Sequence, residues 1–132
     1  MKQQVLDAQP NSELEVYVVW VPVLSRLSLE GLRGPAQAAG RKRLADTRVL
    51  NFLDPELRLG MPYGRVLGLA GDEPAWDVFL VFERGVRWGE RPPAPTAWMH
   101  QLGELPWSKR LDARKLAEVI ESLQRAPALE AK

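Results

Sequence analysis

Residues 13–24, ELEVYVVWVPVL, contain the longest apolar run in the chain, and this run decides the fold class. Its β-branched and aromatic residues favour a β-strand. Because the apolar residues are almost continuous rather than alternating, the pattern predicts a strand covered on both faces, as inside an α/β sheet. The run is about half as long as a membrane span and contains Pro22. The sequence therefore predicts an internal strand of a soluble α/β domain.

The segments next to this strand alternate between helical and extended patterns. Residues 2–9 are predicted to form a short helix, or the end of a longer one, that Pro10 interrupts. Residues 26–46 are mostly helical in character, but their glycines and proline predict a broken or late-starting helix. A second short strand, TRVLNFL, follows at residues 47–53. Two strands joined through a helix are expected to be parallel neighbours.

In the next part of the chain, and again near its end, particular residues indicate where helices begin or break. Asp54 and Pro55 predict a helix start, with the aspartate as cap and the proline opening the first turn. Pro62 is expected to kink or split that helix. The segment WMHQLG at residues 98–103 is predicted to form one or two helical turns. A last helix, residues 112–125, has apolar residues at three- and four-residue spacing.

A hairpin is predicted within GDEPAWDVFLVFERGVRWG, residues 71–89. Its strands would be residues 75–83 and 86–89, and Gly85 would supply the positive φ that such a turn requires. A proline-rich connection, ERPPAPTA, follows the second strand. The hairpin would add an antiparallel edge to a parallel sheet.

The predicted element order is (α)βαβαββα, which is typical of a three-layer α/β sandwich with a mixed sheet. The length of 132 residues fits a single domain, residues 1–132. Its core is expected to span residues 14–125, with a flexible tail at 126–132.

Composition excludes several classes of chemistry. The 18 basic and 17 acidic residues give a net charge of +1, which does not indicate nucleic-acid binding. The chain has no cysteine, so it carries no thiol chemistry of its own. With a single histidine, no transition-metal site and no cofactor is expected. The first residues show no secretory signal, so a cytoplasmic location is expected, or export if an N-terminal segment is missing.

Four features together resemble the thioredoxin fold, most closely the TlpA-type thiol oxidoreductases and peroxiredoxins. They are a short strand ending in Asp54, the segment MPYGRV at residues 61–66, Pro74 ahead of an apolar strand, and the turn glycine Gly85. The resemblance covers residues 14–125. It implies that Pro74 is a cis-proline facing a redox-active turn. The strand and the Cys-x-x-Cys turn that precede this region in those families have no counterpart in the sequence.

The candidate binding site is the groove that the resemblance places around Pro74. Its predicted members come from the loop before the apolar strand and from the segment after the proline-rich connection: Glu73, Pro74, Ala75, Trp76, Asp77, Trp98 and His100. We expect them to bind a protein partner or a small molecule, and we predict no catalytic residue.

Each of these residues also has an ordinary structural interpretation. Pro74 can be a trans-proline that opens an edge strand. Trp76 and Trp88 either flank a pocket or complete the core. His100 is expected to bond the backbone. Asp77, placed within an apolar strand, is expected to pair with an arginine such as Arg84, Arg87 or Arg91.

Two functional hypotheses follow. The first is a redox-inactive thioredoxin-like domain that acts as a binding or interaction module, with a possible homodimer through the sheet edge that the missing strand leaves bare. The second is the C-terminal portion of a thiol–disulfide oxidoreductase whose Cys-x-x-Cys segment lies upstream of Met1. A bare apolar face on residues 16–23 would favour a missing strand, and tight packing of residues 2–9 would favour the short form. A hydrolase or isomerase using Asp77 or Glu73 with His100 is a weaker third hypothesis.

Overall fold

A computed structural model describes residues 2–10, 13–23, 38, 40 and 42–126. The elements, in chain order, are α1 (Lys2–Val5), β1 (Val16–Trp20), β2 (Val49–Leu53), α2 (Gly60–Val66), β3 (Val78–Val81), β4 (Ala97–His100), a 3₁₀ turn (Trp107–Lys109) and α3 (Ala113–Arg125). The chain is therefore a mixed α/β protein, as predicted. Most of the helix predicted for 26–46, together with Met1 and the tail beyond 126, lies outside the described residues.

The first sheet is the parallel pair β1–β2, in register from Val16 opposite Val49 to Trp20 opposite Leu53. This confirms both predicted strands and their parallel arrangement, although each is shorter than predicted. Gly40 lies so close to the Trp20 ring that a Cβ on that glycine would be 2.3 Å from the Trp20 side chain. Gly40 thus packs on the Trp20 side of this sheet. Tyr17 and Phe52, on the opposite side, are about half exposed.

The second sheet is antiparallel, and its pairing corrects two predictions. β3 pairs with β4, with Val78 opposite His100 and Val81 opposite Ala97. Residues 86–89 are not a strand, and the WMHQLG segment begins in a strand rather than in helical turns. Successive side chains of a strand point to opposite faces, and in AWMH this places Met99 against the core, which favours a strand here. Gly85 does have a positive φ of 86°, so the turn was located correctly but assigned the wrong partner strand.

The main core forms where α1 and α3 meet one face of the second sheet. Val5, Leu116 and Ile120 are its buried centre, and the half-buried side chains packed on it include Phe79 and Met99. Asp112 caps α3 by accepting hydrogen bonds from the N–H groups of residues 114 and 115. These hydrogen bonds lower the pKa of the Asp112 carboxyl, and the bond from residue 115 has the larger effect.

The helix predicted at Asp54 begins six residues later, at Gly60. The Asp54 carboxylate is buried and accepts main-chain N–H bonds from Arg58, Leu59 and Gly60 at 2.7, 2.8 and 3.1 Å. It thus organises the turn ahead of the helix rather than the first helical turn itself. Pro62 does not kink α2, because it lies in the first turn, where its missing N–H is not needed. Among the described residues, no helix is long and apolar enough to cross a membrane.

Candidate functional site

The segment around Pro74 is packed against α2. Ala75 is buried, and its N–H donates to the Gly60 carbonyl at 2.8 Å. A Cβ on Gly64 would lie 1.9 Å from the Glu73 carbonyl oxygen, so only glycine allows this approach. Every described peptide bond is trans, including the one before Pro74, so the cis-proline interpretation is wrong. Pro74 instead holds the connection between α2 and β3 in place.

Asp77 stands before β3 and not inside it. Its φ of 53° is left-handed, a conformation that aspartate tolerates better than most residues, and its side chain is exposed. Its carbonyl accepts from the Gln101 N–H at 3.0 Å, which starts the ladder between β3 and β4. The predicted ion pair is wrong: among the described residues Asp77 pairs with no arginine, and Arg84 pairs with Glu13.

His100 is fully buried, and both of its ring nitrogens are engaged. Nε2 donates to the Pro106 carbonyl at 2.9 Å, and Nδ1 accepts from the Leu102 N–H at 3.1 Å. These partners fix the neutral tautomer with its proton on Nε2. Because neither nitrogen is free to move a proton, the structural interpretation of His100 fits this geometry. In the hydrolase or isomerase hypothesis, both nitrogens of His100 would already be engaged by these main-chain partners.

Trp98 and Trp76 are both half-buried. The Trp98 ring lies 6.1 Å from the His100 ring, and the ammonium of Lys109 lies 5.3 Å from the Trp98 ring centroid. The fold therefore brings Trp98 and His100 together on one face of β4. The loop that contains Asp77 reaches the end of this strand through the bond from the Gln101 N–H to the Asp77 carbonyl. Glu73, the first residue of the predicted site, is exposed.

An aromatic cluster that sequence reasoning did not identify lies beside α2. Tyr63 makes edge contacts with Phe82 and Trp88, at centroid distances of 6.2 and 5.8 Å. Its ring is buried, and its hydroxyl donates to the Pro93 carbonyl at 3.1 Å. Burial raises the pKa of this hydroxyl to about 12. Trp88, itself about half exposed, thus lies against the Tyr63 ring, and the Tyr63 hydroxyl holds the proline-rich connection.

The outer edge of β1 has no strand beside it. The Val16 N–H donates to the Arg48 carbonyl, and the Trp20 carbonyl accepts from the Asp54 N–H, both at 2.9 Å. In a parallel ladder, alternate residues direct their main-chain groups to the same side. Val16, Val18 and Trp20 therefore bond β2, whereas the N–H and C=O groups of Tyr17 and Val19 point to the other edge. Within the described part of the chain, β1 has β2 as its one neighbour.

β3 has an equivalent bare edge. Because Asp77 pairs with Gln101, Phe79 also directs its main-chain groups to β4, and Val78 and Leu80 direct theirs away. The far edge of β4 is covered at His100, whose carbonyl accepts from the Leu111 N–H at 2.8 Å. No strand among the described residues lies on the open side of β3.

The two sheets meet at both ends. At one end, Glu13 ahead of β1 forms an ion pair with Arg84 beyond β3. At the other end, three hydrogen bonds link β1 to β3. The Trp20 carbonyl accepts from the Asp54 N–H, and the Asp54 carboxylate accepts from the Gly60 N–H. The Gly60 carbonyl accepts from the N–H of Ala75, which stands ahead of β3. The start of β1 is thus joined to the end of β3 and the end of β1 to the start of β3, so the two strands run antiparallel. No ladder joins them among the described residues.

These observations define the candidate site. We call it the open-edge site: the free main-chain edges of β1 and β3, which carry Tyr17, Val19, Val78 and Leu80. No group of three or more His, Cys, Asp or Glu residues in the described ranges is placed to hold a metal ion. No family model, curated protein or solved structure matches the chain.

Proposed function

We propose that the chain is a thioredoxin-like binding module without thiol chemistry, and that its ligand adds a β-strand at the open-edge site. The observation that carries this proposal is the pair of unpaired, antiparallel edges on β1 and β3. Strand addition gives affinity through main-chain hydrogen bonds, and a bare edge is a template for it. The absence of cysteine and the fully bonded His100 support binding rather than catalysis.

A single strand between the two sheets would make one mixed sheet in the order β2, β1, ligand, β3, β4. The ligand strand would be parallel to one neighbour and antiparallel to the other. The core helices α1 and α3 would lie on one face and α2 on the other, as in the three-layer sandwich that we predict from the sequence. The trans bond before Pro74 is a departure from the thioredoxin-like pattern.

The test removes one amide from the edge. Val19→Pro deletes an N–H that faces outward, where proline is tolerated, whereas Val18→Pro deletes an N–H of the β1–β2 ladder. We expect Val19→Pro to retain the native circular dichroism spectrum and Val18→Pro to lose it. Random peptides displayed on phage should be enriched on the wild-type chain and released by Val19→Pro. Failure of any peptide to be enriched, or binding unchanged in Val19→Pro, would overturn the proposal.

A second function is favoured by the bare edge and exposed apolar face of β1. The chain would be the C-terminal portion of a thiol–disulfide oxidoreductase, and the strand at the open-edge site would come from upstream of Met1. The two criteria from the sequence point to different functions: Tyr17 is 56% exposed on a bare apolar face, which favours a missing strand, whereas Val5 and Leu6 are tightly packed, which favours the short form. The intact mass of the protein from its native host separates the two functions. A mass matching 132 residues supports the binding module, and a longer product with Cys-x-x-Cys supports the oxidoreductase.

A homodimer is the third possible occupancy of the same edges. If a second copy occupied them, sedimentation would give a dimer, and Val19→Pro would convert it to a monomer. We further propose a cytoplasmic location for the short form and export for a longer product.

A further inference from the structure

From the side chains that flank the open-edge site, we propose the chemistry of its ligand: an extended segment of about five consecutive apolar residues with basic residues on both sides. This inference rests on the proposed function. It adds a sequence pattern to what would otherwise be main-chain recognition alone.

The apolar part of the pattern follows from the neighbours of an inserted strand. β1 reads VYVVW and β3 reads VFLV, so every lateral neighbour on both faces of the ligand is apolar. Cross-strand pairs of apolar side chains stabilise a sheet, and a strand covered on both faces is typically continuously apolar. An alternating peptide would place polar side chains against one of these two apolar faces.

Packing on the core side supports the same pattern. Leu14, two residues before β1, packs on the cluster that contains Phe79 and Val81. Ligand side chains on that face would extend the core formed by α1 and α3. On the other face they would lie beside Tyr17 and Val19, and Tyr17 is 56% exposed. Continuous apolar residues would remove this exposed apolar surface from water.

The flanking charges follow from the ends of the site. Exposed Glu13 and Glu15 stand before β1, and exposed Glu73 and Asp77 stand before β3. Because the two strands are antiparallel, one acidic pair lies at each end of the site. Arg84 pairs with Glu13 at one end, so the charge of Glu15 remains there, and the charges of Glu73 and Asp77 remain at the other end. Lysine or arginine on both sides of the apolar segment complements this arrangement.

Three synthetic peptides with blocked ends test the pattern by fluorescence anisotropy. KKVVIVVKK carries the full pattern, KKVSISVKK keeps the charges but alternates, and EEVVIVVEE reverses the charges. We expect KKVVIVVKK to bind at least about tenfold more tightly than KKVSISVKK, because two buried valines are worth more than 1.4 kcal/mol. We expect EEVVIVVEE to bind about fivefold more weakly or worse, and the difference to shrink in high salt.

The outcomes separate this inference from the proposed function. If KKVSISVKK or EEVVIVVEE binds as tightly as KKVVIVVKK, and Val19→Pro abolishes that binding, strand addition stands and the ligand chemistry is wrong. If none of the three binds, both are wrong. Should Val19→Pro fail to fold, KKVVIVVKK with alternate amides N-methylated replaces it, since that peptide removes the same kind of hydrogen bond from the ligand. Undiminished binding of the methylated peptide would overturn both.

Discussion

At the residue scale, the connection between α2 and β3 depends on a glycine. Gly64→Ala places a methyl group 1.9 Å from the Glu73 carbonyl oxygen, which belongs to the main chain and cannot turn aside. Alanine has a helix propensity about 1 kcal/mol better than glycine, but overpacking of this kind costs about 1–3 kcal/mol or more. We expect Gly64→Ala to lower the free energy of unfolding by about 2 kcal/mol in urea titration.

Gly89→Ala is the matched control for this prediction. A Cβ on Gly89 would meet no atom within 4 Å, and Gly89 has no positive φ. We expect its stability to change by less than about 0.5 kcal/mol. Equal stability of the Gly64 and Gly89 variants would contradict the close packing of the Pro74 segment on α2.

The buried hydroxyl of Tyr63 predicts a pH dependence. An unfolded tyrosine titrates near pH 10, and burial raises the Tyr63 pKa to about 12. The folded state thus disfavours the phenolate, so the stability that Tyr63 confers is complete below about pH 10 and is lost as the pH rises towards 12. We expect Tyr63→Phe to lack this loss, so that its free energy of unfolding approaches that of the wild type across this range.

Guanidinium titrations at several pH values between 8 and 12 measure this difference. Tyr17→Phe is the control, because the Tyr17 hydroxyl is exposed and hydrogen-bonded to Glu15, and it should keep the alkaline loss that belongs to Tyr63. An alkaline loss that survives unchanged in Tyr63→Phe would show that Tyr63 is not its source.

At the element scale, the sequence predicted the strands and helices better than their pairing. Periodicity located β1, β2, β3 and α3, because each is encoded by local apolar spacing. β4 was not predicted, because AWMH is equally compatible with a helical turn until Met99 meets the core formed by α1 and α3. The open-edge site depends on long-range arrangement in the same way. Of the predicted site residues, Ala75 and His100 are buried and hydrogen-bonded to the main chain, and these contacts depend on packing that the local sequence does not show.

The register of the second sheet gives a prediction at this scale. Met99→Ala should destabilise the chain by about 2 kcal/mol or more, because Met99 packs on the Val5–Leu116–Ile120 core. Val86→Ala should cost under about 1 kcal/mol, since residues 86–89 belong to no strand. Thermal unfolding of the two variants compares these costs. A larger effect at Val86 than at Met99 would favour the hairpin through residues 86–89.

At the scale of the whole molecule, the described strands form two two-stranded sheets rather than one larger sheet. Isolated two-stranded sheets are marginally stable in water. Here β3–β4 is supported by α1 and α3, whereas β1–β2 leaves Tyr17, Leu50 and Phe52 about half exposed. A strand between the sheets would pair both bare edges and bury part of this surface. Under the proposed function, one ligand strand would therefore supply both hydrogen bonds and apolar burial.

Amide hydrogen exchange by NMR, with and without KKVVIVVKK, tests this account most directly. In the free chain, the amides of Tyr17, Val19, Val78 and Leu80 should exchange rapidly, while those of Val18 and Phe79 in the ladders are protected. Adding the peptide should protect the first four amides and leave the ladder amides as they were. If those four are already protected in the free chain, or stay unprotected when the peptide is bound, the open-edge site does not take up a strand.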